Sequence, residues 1–391
     1  MNILFTYPTV FNPMRGGVER VTDLLAKEFG NRGYNVFYLN NYKDEKLMDY
    51  AFPAQVDFFP CESYTDSMNY PFYTNYLKRH DIDIVINQCG AFSDSVLYNS
   101  VGGSKAKVIS AIHMNPSLCY NYLFSEISQL RNPTFVEKLK RCARIAIYPK
   151  IRKDYLKRKK KQYHWLLTPG NTHAVTLLSD SFKSELLELA NCQTDCVIKT
   201  IPNPLSYRVE KGLKKEKTVI YVGRLDVGQK RVDRLIRMWA KIDSSFPDWK
   251  LKIIGDGPDR FKIERLASSY DNIQILGFRD PEPYYREASI LCMTSNFEGF
   301  GLVLIEAMSK GCVPMAFSSF SALHDIIDDD RLKVTPFSEM EYIAKLSALM
   351  SNPDLLSLLR TKCYADVEKF NINIICDKWA SLFNTLSINI I

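Results

Sequence analysis

Short apolar runs alternate along the chain with stretches whose apolar residues recur every three or four positions. In the first half the runs fall at residues 2–6, 35–39, 84–87, 107–112 and 174–178. Each is too short for a buried helix and rich in Ile, Val and Leu, which predicts strands buried on both faces. The periodic stretch over 18–31 predicts the first helix. The second half repeats the pattern with runs at 218–222, 250–254, 273–276, 290–293 and 313–316, and with helical stretches at 231–242, 259–267 and 302–310. Strand–helix alternation of this kind predicts a parallel, doubly wound sheet. Since each half carries its own set, two α/β domains are expected.

The junction is placed in Ile201-Pro202-Asn203-Pro204-Leu205, where two prolines interrupt regular structure. The expected domains are 1–203 and 204–369. A closing helix, from 372 to about 386, carries Trp379, Leu382 and Phe383 on one side, and 370–391 is expected to return towards the first domain. With 391 residues, 46% hydrophobic and 24% charged, the composition is that of a folded globular chain and excludes a disordered or collagen-like one. No run approaches the roughly 18 apolar residues of a membrane-spanning helix. Met1-Asn2-Ile3-Leu4-Phe5 reads as a first strand and not as a signal peptide, so a cytoplasmic location is expected. Among ten cysteines the closest pair, Cys192 and Cys196, has no second Cys or His pair nearby, and no metal site is expected there.

Charge changes the picture in one place. Residues 131–161 hold thirteen Lys or Arg against two acids, Glu137 and Asp154, although the whole chain carries only +7. Phe135, Val136, Leu139, Ile145, Ile147, Tyr148, Ile151, Tyr155 and Leu156 are interleaved with the cations, and Pro149 is expected to divide the segment into two helices. Three readings stay open: adsorption to anionic lipid, which is favoured, a solvated helix face, and nucleic-acid binding, which no accompanying motif supports.

In open α/β sheets ligands bind beyond the carboxyl ends of the strands, so candidate chemistry is sought in the loops there. The first is Arg15-Gly16-Gly17-Val18-Glu19-Arg20. Adjacent glycines allow a close backbone approach, and the helix N-terminus offers N–H groups to an anion, although a plain tight turn fits as well. The second is Tyr221-Val222-Gly223-Arg224-Leu225-Asp226, followed by Lys230-Arg231. Arg224 and Lys230 can direct two cations at a diphosphate. The third is Ser295-Asn296-Phe297-Glu298-Gly299-Phe300-Gly301-Leu302-Val303-Leu304-Ile305-Glu306-Ala307-Met308. Glu306 lies among apolar neighbours, and a ligand rich in hydroxyls would partner it, while the N–H groups around Gly301 and Leu302 suit a phosphate. Asp81-Ile82-Asp83 runs straight into a buried strand and is read as the start of that strand and not as a metal motif.

The Gly-Gly loop, Gly223-Arg224-Leu225-Asp226 with Lys230, Ile254-Gly255-Asp256-Gly257-Pro258, and Glu298 followed by Glu306 resemble family-4 retaining glycosyltransferases of the GT-B fold, most strongly over 218–327. The resemblance implies two Rossmann-like doubly wound domains facing a central cleft. It implies that a nucleoside-diphosphate sugar, UDP-linked in preference to GDP-linked, is the co-substrate, with no cofactor or metal. Arg224 and Lys230 would hold the diphosphate, with Gly16 and Gly17 contacting it through the backbone. Gly299, Phe300, Gly301 and Leu302 would line the donor site, and Glu306 would hold the ribose. Glu298 and His113, in Ile112-His113-Met114, would be the catalytic residues beside the sugar. The sequence departs from the family pattern at 328–334, which has no glycine.

The acceptor implied is a glycan or a lipid-linked saccharide met at the inner face of the cell membrane, in capsule, O-antigen or lipopolysaccharide synthesis. Residues 41–75 and 115–165, where acceptor recognition would reside, match nothing specific. A nucleotide-sugar 2-epimerase on the same fold and a non-catalytic partner-binding subunit are the alternatives.

Overall fold

The protein is described from a computed structural model over residues 1–13, 16–42, 50–63, 66–90, 97–117, 123 and 135–388. Two compact units emerge. Among the described residues, one comprises those of Met1–Ser117, Arg152–Ser206 and 370–388; the other comprises 123, 135–151 and Tyr207–Lys369. The described residues 135–151 therefore group with the second unit.

The first unit is built on a seven-stranded parallel sheet: β1 (Asn2–Val10), β2 (Asn35–Tyr42), β3 (Gln55–Phe58), β4 (Ile84–Asn87), β5 (Lys107–Ile112), β6 (Ala174–Leu177) and β7 (Val197–Thr200). Their spatial order is β3-β2-β1-β4-β5-β6-β7. The second is built on a six-stranded sheet: β8 (Glu216–Val222), β9 (Lys250–Ile254), β10 (Ile273–Gly277), β11 (Ala288–Met293), β12 (Val313–Phe317) and β13 (Lys333–Val334), in the order β10-β9-β8-β11-β12-β13. All strand pairs are parallel. Each sheet reverses its winding once, between β1 and β4 and between β8 and β11. The interior strands explain why the runs were legible: every residue of β4 and of β11 is buried, as strands covered on both faces must be. The sequence missed β3, β7 and β13. The first two are half-exposed edge strands and the third has two residues, so none carries a long apolar run.

The helix Gly17–Asn31 buries Val21, Thr22, Leu25, Ala26 and Phe29. The closing helix, Ile372–Ile388, lies against it: Phe29 packs with Trp379 and Phe383 at ring-centroid distances of 6.4 and 5.5 Å, and Arg32 Nη1 donates to Asp377 at 2.6 Å. Of the basic segment, Arg131 and its neighbours to 134 lie outside the described residues. The remainder forms two helices, Phe135–Ala146 and Tyr148–Leu167. Pro149 sits in the first turn of the second, where its missing N–H costs nothing. At 328–334 the turn is made without glycine, because Asp329 accepts from the Arg331 backbone N–H and side chain and caps a short 3-10 turn.

Packing, and not the exposed ion pair, should hold the closing helix. Phe383→Ala, at a fully buried ring, should cost about 3–5 kcal/mol. Asp377→Ala, at a carboxylate 72% exposed, should cost under about 1 kcal/mol. Thermal melts of both variants check the order, and equal losses would contradict it.

Candidate active site

The reversal between β8 and β11 fixes where a ligand meets the second sheet. Two loops leave the carboxyl ends of these strands: 223–230 after β8 and 294–301 after β11. The first is held from below by the β9 loop. Gly223 N–H donates to Ile254 O at 3.0 Å, Leu225 N–H to Asp256 O at 2.9 Å, and Asp259 N–H to Leu225 O at 3.0 Å. A Cβ on Gly255 would lie 1.9 Å from Gly223 O, and its φ is +141°, so only glycine lets these turns stack. Asp226 Oδ1 then gathers the N–H groups of Gly228 and Gln229, at 2.8 and 3.1 Å. That turn delivers Lys230.

Lys230 Nζ donates to both carboxylate oxygens of Glu298, at 2.7 and 2.8 Å, and Ser295 Oγ donates to Glu298 Oε1 at 2.6 Å. Glu298 is 5% exposed. A carboxylate so buried keeps its charge only beside a cation and hydrogen-bond donors, and both are present. Arg224 is more open, its side chain 56% exposed. It donates to Asp226 Oδ2 at 3.0 Å and Gln229 Oε1 at 3.2 Å, which leaves guanidinium N–H groups for a ligand. The two expected diphosphate cations thus sit on one loop, and each already holds an acid.

Two residues join the loops: Asn296, which the sequence placed in the third loop without a role, and Arg234, which it did not single out. Asn296 N–H donates to Gln229 O and its Nδ2 to Gly228 O, both at 2.7 Å. Arg234, 6% exposed, donates to Thr294 O at 3.1 Å and Asn296 Oδ1 at 3.2 Å, with its guanidinium over the rings of Phe317 and Phe337 at 5.2 and 4.9 Å. Burial pushes this arginine down to about 10, which still leaves it a cation. Asp233 and Arg237 share the stretch 232–239 with it, so nothing in the sequence set Arg234 apart.

Gly301 adopts φ +90° and starts the helix Leu302–Ser309, with Phe300 buried before it and Gly299 half-buried. Glu306 lies wholly inside, its Oε2 accepting from Tyr285 Oη at 3.1 Å. Its carboxylate is therefore closed to solvent, and a ribose would reach it only if Tyr285 gave way.

In the first unit, Gly16 caps the helix Gly17–Asn31 with extended backbone, and Gly17 is exposed; Arg15 lies outside the described residues. The Glu19 carboxylate folds back to within 1.8 Å of where a Cβ on Gly16 would stand. It supplies negative charge to the helix N-terminus, so an anion would share that end with it. Beyond β5, His113 Nε2 is at hydrogen-bond distance from Gln88 Oε1. Burial pushes the imidazole down to about 4, so it is neutral at pH 7. Asp81 and Asp83 both pair with Lys105, at 2.8 and 2.7 Å, and Asp83 also accepts from Asn2 N–H at 2.7 Å. Their role is to pin the start of β4.

Residues 206–366 match the family model of the glycosyl transferases, group 1. An uncharacterized glycosyltransferase of Haemophilus influenzae is 28% identical over 214 residues, 53% of this chain and 58% of that one. The amylovoran biosynthesis glycosyltransferase AmsD of Erwinia amylovora is 28% identical over 175 residues, 44% of this chain and 49% of that one. The chain thus spans about half the length of these relatives. Among solved structures, the lipopolysaccharide outer core galactosyltransferase WaaB shares the fold over the whole of both chains, with a TM-score of 0.66 at 19% identity. Anabaena HepE, solved with UDP-glucose, does so over 98% of this chain and all of its own, with a TM-score of 0.70 at 14% identity. The fold is GT-B, and the resemblance to glycosyltransferases of surface-polysaccharide synthesis is borne out.

The pairing of Lys230 with Glu298 predicts an asymmetry. Lys230→Met strands a buried carboxylate and should cost about 3–5 kcal/mol. Glu298→Gln leaves a cation that is 23% exposed and should cost clearly less. Denaturant melts decide, and equal costs would contradict the pairing. His113 should stay neutral in an NMR titration until well below pH 6. Its folded pKa lies below the unfolded value, so the unfolded chain binds the extra proton first. Its contribution to stability is complete above about pH 6.5 and is lost as pH falls towards about 4. Replacing His113 by Asn should flatten that part of the stability curve.

Proposed function

We propose that the protein is a retaining glycosyltransferase that moves a hexosyl or N-acetylhexosaminyl group from a UDP-sugar to a glycan or lipid-linked acceptor, in the building of a surface polysaccharide. The observation that carries this reading is the Lys230–Glu298–Ser295 cluster beside Arg224, at the reversal point of the second sheet. The donor chemistry draws support from HepE, solved with UDP-glucose. TarM of S. aureus, of 20% identity over 81% of this chain and with a TM-score of 0.61, was solved with UDP and α-GlcNAc-glycerol.

The arrangement performs the reaction by exchanging partners. An arriving diphosphate draws Lys230 away from Glu298 and takes a second cation from Arg224. The N–H groups at the start of the helix Leu302–Ser309 add donors to the departing phosphate. Glu298, released from its cation, faces the sugar with a full negative charge as positive charge develops at the anomeric carbon. No metal is needed for this charge balance, and turnover should survive EDTA. His113 in the first unit is assigned to a sugar or acceptor hydroxyl, and Glu306 to the ribose once Tyr285 yields.

The basic helices supply the acceptor side of the reading. Val136, Leu139 and Ile147 are exposed by 59, 56 and 53%, among exposed Lys138, Lys140, Arg144 and Lys150. Among the described residues no helix is long and apolar enough to cross a membrane. Apolar side chains beside cations suit the surface of an anionic bilayer, where each cation contributes about 1 kcal/mol. An enzyme held there meets a lipid-linked acceptor in two dimensions.

A thermal-shift panel of UDP-, GDP-, ADP- and CMP-sugars should show stabilisation by UDP-sugars, lost in Arg224→Ala, since ligands of the folded state raise the melting temperature. No shift with any nucleotide would overturn the donor reading. Replacing 157–161 by neutral residues should weaken sedimentation with phosphatidylglycerol vesicles and leave UDP-sugar hydrolysis intact. Unchanged sedimentation would remove the membrane part.

A further inference from the structure

At the reversal point of the first sheet a line of side-chain hydrogen bonds runs from the first helix to His113. It begins at Thr22, 1% exposed, whose Oγ1 donates to Val18 O at 2.8 Å. A hydroxyl has one proton. With that proton given to Val18, Oγ1 is left as an acceptor, and it accepts from Gln88 Nε2 at 2.9 Å. The amide of Gln88, 4% exposed, is thereby oriented, with nitrogen towards Thr22 and oxygen towards His113. An amide oxygen only accepts. The ring nitrogen facing it, Nε2, therefore carries the imidazole proton, and Nδ1 carries the lone pair.

We propose that Thr22 and Gln88 are positioning residues that lock His113 in the Nε2–H tautomer, so that Nδ1 is held ready to accept a hydrogen bond from a ligand hydroxyl. Nδ1 is sealed from water and has no partner among the described residues. An acceptor left unsatisfied in this way is costly, and a ligand O–H recovers the loss. A neutral ring with a fixed lone pair meets hydroxyl donors and repels phosphate or carboxylate oxygens, which selects a sugar or polyol as the group that docks there. A small and largely apolar cavity in the same unit borders both Gln88 and His113, with Thr176 and Asn203 as its other polar neighbours. The ligand half of the proposal rests on the glycosyl-transfer reading; the tautomer half does not.

Long-range 1H–15N correlation of the full-length protein at pH 7 reads the tautomer directly. His113 is expected to show protonated Nε2 and bare Nδ1; the opposite pattern overturns the proposal. Thr22→Val removes the acceptor oxygen that orients Gln88, with little change of shape. It is expected to give a mixture of tautomers and a roughly tenfold fall in kcat for UDP release, the loss of about one hydrogen bond. The thermal shift given by UDP alone should be unchanged. Thr22→Ser, which keeps the hydroxyl, should restore both the tautomer and kcat. Gln88→Leu, should it fold, is expected to behave as Thr22→Val does. A single tautomer with unchanged kcat in Thr22→Val overturns the positioning role. A wild-type protein that releases UDP from no UDP-sugar counts against the transfer reading and the ligand half, and the tautomer spectrum still decides the rest.

Discussion

A carboxylate buried to 5% exposure must have a cation within reach or give up its charge, and that constraint on Glu298 organises the second unit. Lys230 supplies the cation from a different loop. For the two to meet, the turn after β8 must be fixed against the turn after β11. Asp226 gathers its own backbone, Asn296 bonds to the carbonyls of Gly228 and Gln229, and Arg234 bonds to the loop from behind. Remove the ion pair and the remaining bonds still hold the loops together, but they hold an uncompensated charge.

The same topology appears twice with different contents. In the second sheet the reversal point gathers charge: two cations, a buried carboxylate and a helix N-terminus. In the first it gathers neutral hydrogen-bonding groups, Thr22, Gln88 and an uncharged His113. On the reading proposed above, a diphosphate would belong to the charged site and hydroxyls to the neutral one. This division of labour would suit the proposed transfer from a nucleotide sugar to a saccharide, and apart from Thr22 on the first helix its side chains lie at strand ends and on the loops after them.

Much of this was legible in the sequence, and for stated reasons. Ile84–Asn87, Lys107–Ile112 and Lys250–Ile254 were placed to the residue: the first two are buried almost throughout, and the third sets Leu251, Ile253 and Ile254 inside beside an exposed Lys250 and a half-buried Lys252. Arg224, Lys230, Glu298 and Glu306 stood out as charges at the ends of apolar runs. What composition and spacing do not carry is who pairs with whom. That Lys230 answers Glu298, that Tyr285 closes over Glu306, and that Gln88 orients His113 are long-range facts. Gln88 is an uncharged amide whose neighbours in sequence give no hint of a task, and Asn296, although inside the third loop, carries no charge to mark its role. The edge strands β3 and β7 were missed because half-exposed strands look like loops.

The central claim is that the diphosphate takes Lys230 from Glu298. Calorimetric titration of UDP into the wild type and into Glu298→Gln tests it most directly. If binding must first break the ion pair, the variant, whose lysine is already free and which presents no carboxylate to the phosphates, binds UDP more tightly than the wild type. It should also lose sugar transfer. Equal or weaker binding by Glu298→Gln would contradict the exchange and leave the ion pair a structural bond only.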